Sequence, residues 1–186
     1  MKRAIVSAAV VSIVVGAIVM ACAVLSLAQP SPQMPTPGPE VKRLGYFIGK
    51  WHGEAEMKPG PFGPGGKLTE SEDSEWMPGG FFVLIHSDEK TPMGNGKTMM
   101  ILGYNSEKKA YTFNAFNSMG EAENATGTLE GDTWTWISES TMGGKPVKTK
   151  FTMKELSPTS YSTKFEMSSD GGAWSTIMEG KTTKVK

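Results

Sequence analysis

Cysteine is almost missing from this chain of 186 residues. The single cysteine, Cys22, lies in an apolar N-terminal run, so the rest of the sequence has no disulfide and no thiol chemistry. This excludes a disulfide-stabilised scaffold and a cysteine nucleophile in the remainder. A domain of this size buries about two thirds of the surface of its unfolded chain, so side-chain packing can stabilise the fold without such staples.

The sequence also lacks an excess of positive charge. It contains 19 Lys and Arg residues and 19 Asp and Glu residues, and removal of Lys2 and Arg3 with an N-terminal segment would leave 17 basic residues. Proteins that bind nucleic acid or an anionic membrane surface usually carry a basic patch, and none is visible here. We therefore predict no nucleic acid partner, and contact with a membrane only through the N-terminal segment.

Histidine is scarce as well. His52 and His86 are the only two, and they fall on different predicted strands without clustered acidic residues around either. Zinc sites in proteins need three or four ligands in one cluster, so we predict no metal site. The one combination that suggests catalysis is His86 with Tyr104 or Tyr111, and no serine lies in the sequence context of a nucleophile elbow. We rank an enzyme below a binding protein.

The N-terminus has the pattern of an export signal. Lys2 and Arg3 precede an apolar run from Ala4 to Ala28, and small residues at Ser26 and Ala28 suit a cleavage site. Residues 1–28 are therefore predicted to be a signal peptide or membrane anchor that delivers the protein to the periplasm or outside the cell. Two alternatives stay open, because a run of this length can span a bilayer and Cys22 lies in a loose lipoprotein motif.

Two further segments follow the apolar run. Residues 29–39 are rich in proline, which lacks an N–H and restricts φ, and are predicted to form an extended linker. Residues 40–186 have the length of one domain. The domain begins with Val41, Leu44 and Phe47, whose spacing predicts a short helical turn with one apolar face.

After Gly49 the pattern changes to a period of two. Apolar residues alternate with polar ones, and Gly, Pro, Asn and Asp recur about every ten residues, which predicts an all-β domain. We expect an up-and-down antiparallel β-barrel, because closure removes exposed strand edges, with a two-sheet β-sandwich as the alternative. The predicted strands are 49–58, 67–77, 81–89, 97–105, 110–117, 121–130, 133–141, 147–156, 160–168 and 173–182.

The alternation also predicts which side chains line the interior. Aromatic residues fall on one face of several strands, opposite Thr and Lys residues, and an inward histidine would be the one polar group in such a wall. These side chains either fill the barrel or line a site for an apolar ligand. The candidate ligand-binding residues are His86, Tyr104, Phe113, Trp134, Trp136 and Phe165.

Strand 67–77 is polar on both faces, which predicts an edge strand or a strand at the barrel mouth. It carries Glu70, Glu72, Asp73 and Glu75. Glu70 and Glu72 share one face without an evident partner, so we interpret the cluster as a solvated rim rather than an acid–base pair or a calcium site.

The segment from Leu44 to Glu54 reads LGYFIGKWHGE. A helical turn that leads into Gly-x-Trp-x-Gly resembles the opening of calycin barrels, the lipocalin-like group. There the tryptophan plugs the closed end of the barrel, while the glycines allow close approach of the backbone. The resemblance implies that Trp51 is a structural barrel plug.

Further motifs narrow the resemblance. Gly-Tyr-Asn at 103–105 and Ser-Met-Gly at 118–120 are followed by GTLEGD at 127–132 and Gly-Gly-Ala-Trp at 171–174. With the Trp51 segment, their order resembles the bacterial domain-of-unknown-function family fifteen-seventy-nine over about residues 40–181. That resemblance implies an exported lipocalin-like barrel, and it carries no functional residues over to this chain.

The Trp51 opening is also similar to that of nitrobindin-type haem barrels. In those barrels a histidine late in the chain ligates the iron, whereas no histidine follows His86 here. We therefore predict that the protein has no haem and no other cofactor. The sequence leaves two functions open: a calycin-like barrel that binds a small hydrophobic ligand, or a structural or partner-binding envelope protein with a filled core.

Overall fold

The structure, a computed structural model, describes residues 34–61 and 63–185. The predicted signal or anchor, 1–28, and residues 29–33 of the predicted linker lie outside the described residues. Within the described ranges no helix combines the length and the apolar character needed to cross a bilayer.

Each β-strand of the described chain pairs antiparallel with the next, and the last strand pairs with the first, so the sheet closes on itself. This confirms the up-and-down barrel of ten strands and rejects the sandwich. The strands are β1 Gly49–Met57, β2 Gly66–Trp76, β3 Val83–Thr91, β4 Gly94–Asn105, β5 Ala110–Asn117, β6 Ala122–Glu130, β7 Thr133–Met142, β8 Lys145–Ser157, β9 Ser160–Ser169 and β10 Ser175–Lys184.

The polar strand β2 is an integral part of this barrel. Glu72 lies opposite Trp51 of β1 on one side and Ser87 of β3 on the other. The prediction of an edge strand was therefore wrong. A strand with polar residues on both faces can occupy the middle of a sheet when its backbone groups are paired on both sides.

The helical segment before β1 covers one end of the barrel. Helix α1, Pro39–Arg43, starts on a proline, whose missing N–H costs nothing at the first helical position, and a 3₁₀ helix continues it over Leu44–Phe47. Val41, Leu44 and Phe47 are buried, as the spacing predicts. They turn one apolar face toward the barrel interior and close this end, which we call the closed end.

Aromatic residues fill the closed end. Trp51, 1% exposed, donates its indole N–H to the carbonyl of Phe47 at 2.7 Å. Its ring packs against Tyr161, with 5.2 Å between ring centroids. Phe47 in turn contacts Trp134 edge-on at 5.1 Å. The helical segment and strands from opposite sides of the barrel thus share one aromatic core.

Polar contacts tie the helical segment to the β8–β9 hairpin. Glu155 Oε1 accepts hydrogen bonds from Arg43 at 2.7 Å and from the indole of Trp134 at 2.8 Å. The hydroxyl of Tyr46 lies 2.9 Å from the carbonyl oxygens of Ser157 and Ser160. Burial, with the nearby charge of Glu155, raises the pKa of Tyr46 to about 12, so this hydroxyl keeps its proton.

Gly127 of β6 offers a test of the packing inside the barrel. It lies opposite Trp136, and a Cβ added at Gly127 would overlap Cε3 and Cζ3 of that indole. Both residues are buried, so neither can move aside freely. We expect Gly127→Ala to lower the free energy of unfolding by about 1–3 kcal/mol, measured by urea denaturation.

Gly96→Ala on β4 is the matched control, because a Cβ there meets only the side chain of Glu89, at ordinary contact distances of 3.5 Å to Oε2 and 4.0 Å to Cβ. Equal stability of the two variants would contradict the packing of Trp136 against β6.

Candidate functional site

Above the closed-end core the barrel contains a cavity of about 200 Å³. Its apolar wall comes from inward side chains of strands β3 to β5 and β7 to β10, as alternation along each strand requires. Ala125, a small residue, lines the cavity on the β6 side. The apolar side chains around it are Ile85, Met100, Leu102, Phe113, Trp136, Phe151, Met153, Phe165 and Met178.

A second space of about 530 Å³ lies next to this cavity, and we call it the vestibule. The two share Phe113, Glu123, Thr149 and Phe165 as lining residues. The vestibule is bordered by the ends of β5 and β7 and by the start of β6, at the barrel end opposite the helical segment. The vestibule therefore adjoins the inner cavity on the side away from the helical segment.

The opposite wall of the cavity carries carboxyl groups. Glu70 and Glu72 of β2 are partly buried and turn inward. The hydroxyl of Tyr161 donates to Glu72 Oε2 at 3.2 Å, and that of Thr182 lies 3.4 Å from Glu70 Oε1. Gly53 of β1 makes room for the carboxyl of Glu70, since a Cβ there would come within 2.6 Å of Glu70 Cγ.

These carboxyl groups hold their protons unusually tightly. Burial, with the nearby charges of Glu72 and Glu89, raises the pKa of Glu70 to about 8. Burial also raises the pKa of Glu72 to about 7, although the hydrogen bond from Tyr161 opposes the shift. Near neutral pH this wall therefore carries a mixture of neutral and charged carboxyls.

Two further carboxyl groups border the cavity, and both have hydroxyl partners. Glu89 accepts a hydrogen bond from Thr98 at 2.7 Å. Glu123 accepts one from Ser138 at 2.8 Å. Among the described residues, no Lys, Arg or His lines the cavity, so the carboxyls face no opposite charge.

Trp136 contributes an unsatisfied polar atom to the same site. It is 2% exposed, and its indole N–H has no acceptor in the described structure. The ring stacks on Trp134, with 6.2 Å between ring centroids. A buried donor without an acceptor is costly to the fold.

Three of the six predicted ligand-binding residues, Phe113, Trp136 and Phe165, line the cavity. Trp134 belongs instead to the closed-end core, where Glu155 fixes its indole. Tyr104 also packs against that core, with its ring 5.0 Å from the ring of Tyr111. Alternation predicts that Trp134 and Tyr104 face the barrel interior, but it does not predict how far along the barrel axis they lie.

His86 does not belong to the site. Val83, Ile85 and Ser87 are the buried residues of β3, so the alternate residues Leu84 and His86 point outward, and His86 is exposed. The combination of His86 with Tyr104 or Tyr111 is therefore not assembled. His52 is exposed as well. The described residues contain no group of three His, Cys, Asp or Glu side chains that could hold a metal ion.

The interpretation of Glu70 and Glu72 as a solvated rim was also wrong, because both line the cavity. Their neighbours Asp73 and Glu75 are exposed on the outer face, as predicted for a solvated cluster. The sequence did contain a signal for the inward pair. Leu68 and Trp76 share the face of Glu70 and Glu72 by alternation, which places these glutamates on the apolar side of the strand.

Fold and site together define an up-and-down β-barrel with an interior cavity. The chain belongs to the family described as Protein of unknown function (DUF1579), whose model matches residues 36–184. This confirms the resemblance found in the sequence. No curated protein matches the chain significantly.

Two solved structures share the fold. Rv2717c from M. tuberculosis has a TM-score of 0.54 at 12% identity, over 81% of this chain and 99% of that one. The S-type phycobiliprotein lyase CPES from Guillardia theta has a TM-score of 0.50 at 8% identity, over 78% of this chain and 92% of that one. At such identities the likeness concerns the fold alone.

Proposed function

We propose that the protein binds a small, predominantly apolar molecule inside its barrel. The observation that carries this proposal is the cavity of about 200 Å³ with its aromatic and aliphatic wall, next to the vestibule. Ligand sites in proteins are typically concave and mostly apolar, with a few polar groups that fix orientation. This cavity has both components.

The energetics favour an occupant. Protein interiors are packed as densely as organic crystals, and side chains that border a void lose dispersion contacts. A ligand that fills the space restores those contacts and removes its own apolar surface from water, at roughly 25 cal/mol per Å². The alternative of a filled core without a ligand fits less well, because only the closed end is filled.

Because the solved structures share only the fold with this chain, the chemistry of the ligand is inferred from the residues that line the cavity. The Guillardia theta protein is named a phycobiliprotein lyase, and at 8% identity its likeness to this chain concerns the fold alone. The present chain contributes its own aromatic wall. Phe113 and Trp136 lie 5.8 Å apart between ring centroids, and Phe151 and Phe165 lie 6.5 Å apart.

The proposed place of action is outside the cytoplasm. The basic start at Lys2 and Arg3 and the apolar run to Ala28 support export. A binding barrel in the periplasm or outside the cell would meet its ligand in the surrounding fluid or at the membrane.

A cavity-filling variant tests the function. Ala125 of β6 lines the cavity, so the larger side chain of Ala125→Phe would occupy it. We expect the wild-type protein to bind N-phenyl-1-naphthylamine, an uncharged dye that fluoresces in apolar surroundings, saturably and with one-to-one stoichiometry. Ala125→Phe should weaken this binding by about tenfold or more, because the dye loses the space it fills.

Thr126→Phe is the matched control. Thr126 is exposed on the outer face of the same strand, so the same side chain is added without entering the cavity. Dye binding that does not saturate, or that is equally strong in both variants, would count against the interior as the binding site.

A further inference from the structure

The cavity has two chemically different walls. On β2, Glu70 and Glu72 face inward, and Glu89 of β3 lies close enough to raise the pKa of both. Across the cavity stand aromatic and aliphatic side chains, Trp136 and Phe151 among them. Buried carboxyls in proteins are normally paired with a cation, and the described lining contains none.

We propose that the ligand is an amphiphilic amine, with its protonated nitrogen against Glu70 and Glu72 and its apolar body against the aromatic wall. The inference rests on the proposed function and specifies its ligand class. An ammonium group donates charge-assisted hydrogen bonds to carboxylates, which are stronger than bonds between neutral groups. It would supply the countercharge that the described residues do not place in the cavity.

The aromatic wall favours the same ligand class. The faces of Trp and Phe rings attract cations, and the attraction grows where water is excluded. An anionic ligand of the same shape would meet like charges on β2.

The size of the cavity limits the ligand. A volume of about 200 Å³ is smaller than the roughly 300–1,000 Å³ typical of pockets for drug-sized molecules. A compact amine fits entirely inside, whereas a longer one would extend past Phe113 and Phe165 into the vestibule. The amine itself would stay deep, since Glu72 contacts Tyr161 of the closed-end core.

Binding of an amine should release protons. Raised pKa values keep part of the Glu70 and Glu72 population protonated near neutral pH, and an ammonium group beside them favours the charged form. The titratable groups that face the pair are Glu89 on β3 and Tyr161 on β9. The inward residues beside it on β1 and β10 include Gly53 and Thr182, which carry no charge.

Three probes share a phenyl group and differ in the charge of their polar end: 2-phenylethylamine, 2-phenylethanol and 3-phenylpropanoate. They separate the contribution of the ammonium group from that of the apolar body. Titration calorimetry on the full-length protein at pH 7.5 should show the amine binding at least about tenfold more tightly than the alcohol. The carboxylate should bind more weakly than both. Phosphate and Tris take up protons with different heats. The measured heat of amine binding should therefore differ between these buffers, with the sign expected if binding releases protons.

The double variant Glu70→Gln/Glu72→Gln should lose the preference for the amine and keep its affinity for the alcohol. Glu75→Gln, on the outer face of the same strand, should bind like the wild type. A preference below tenfold in the wild type, or one that survives the double substitution, overturns the amine proposal. If the neutral dye still binds, the proposed function stands; if neither dye nor probes bind, both proposals fall.

Discussion

Trp51→Ala should lower the free energy of unfolding by about 3–5 kcal/mol, a large share of the roughly 5–15 kcal/mol that stabilises a typical domain. The side chain is 1% exposed and contacts the rings of Tyr46 and Tyr161. The substitution removes these contacts and leaves the carbonyl of Phe47 without its 2.7 Å hydrogen bond. Chemical denaturation measures the loss.

His52→Ala is the control for this prediction, because His52 follows Trp51 directly and is exposed. It should cost about 0.5 kcal/mol or less. A one-residue shift in register would exchange the two faces of β1, so the pair of variants also tests the register. A larger loss in His52→Ala than in Trp51→Ala would contradict the position of Trp51 at the closed end.

The second large effect concerns pH. The folded protein raises the pKa of Glu70 to about 8 and that of Glu72 to about 7, from 4.5, so it binds these protons more tightly than the unfolded chain does. Their contribution to stability is fully present below about pH 4.5 and is lost as the pH rises through 7 and 8. Above that range the fold must hold charged carboxyls in an apolar cavity.

We therefore expect Glu70→Gln/Glu72→Gln to match the wild type near pH 4 and to exceed its stability by several kcal/mol near pH 9, since glutamine keeps the shape without the charge. Urea denaturation at both pH values measures it. The difference between variant and wild type is the quantity to compare, because Glu166 has a lowered pKa owing to Lys150 and acts in the opposite sense.

Asp73→Asn/Glu75→Gln provides a control that removes two charges from the exposed face of the same strand. This variant should follow the wild type across the pH range within about 0.5 kcal/mol. If its pH dependence changes as much as that of the inward pair, the effect comes from net charge and not from the cavity.

Much of the architecture could be predicted from alternation and turn residues. The ten strands, the helical turn and the closed barrel follow from local patterns, because antiparallel neighbours joined by short turns leave few topologies. The pattern also placed Phe113, Trp136 and Phe165 on the inward face. These residues alternate with polar ones, so their orientation admits one interpretation.

The errors arose where a strand has no single apolar face. In β3 Val83 and Ile85 on one side and Leu84 on the other are all apolar, so alternation does not determine whether His86 faces inward or outward. In β2 charged residues occupy both faces, so the local pattern does not distinguish an inward pair from a solvated rim. The cavity itself depends on how side chains from nine strands share one interior, which no local pattern reports.

The closure between β1 and β10 has a consequence for the order of folding. Nine of the ten strand pairings in the described chain join sequence neighbours, which can form early at a small cost in loop entropy. The pairing of Trp51 with Lys184 spans nearly the whole domain and carries the greatest cost. Gly53 already lies opposite Glu70 in the β1–β2 pair, but only that last pairing brings Thr182 of β10 beside Glu70, so the acidic wall is completed when the barrel closes. A ligand that needs this wall would therefore bind only to chains whose barrel has closed.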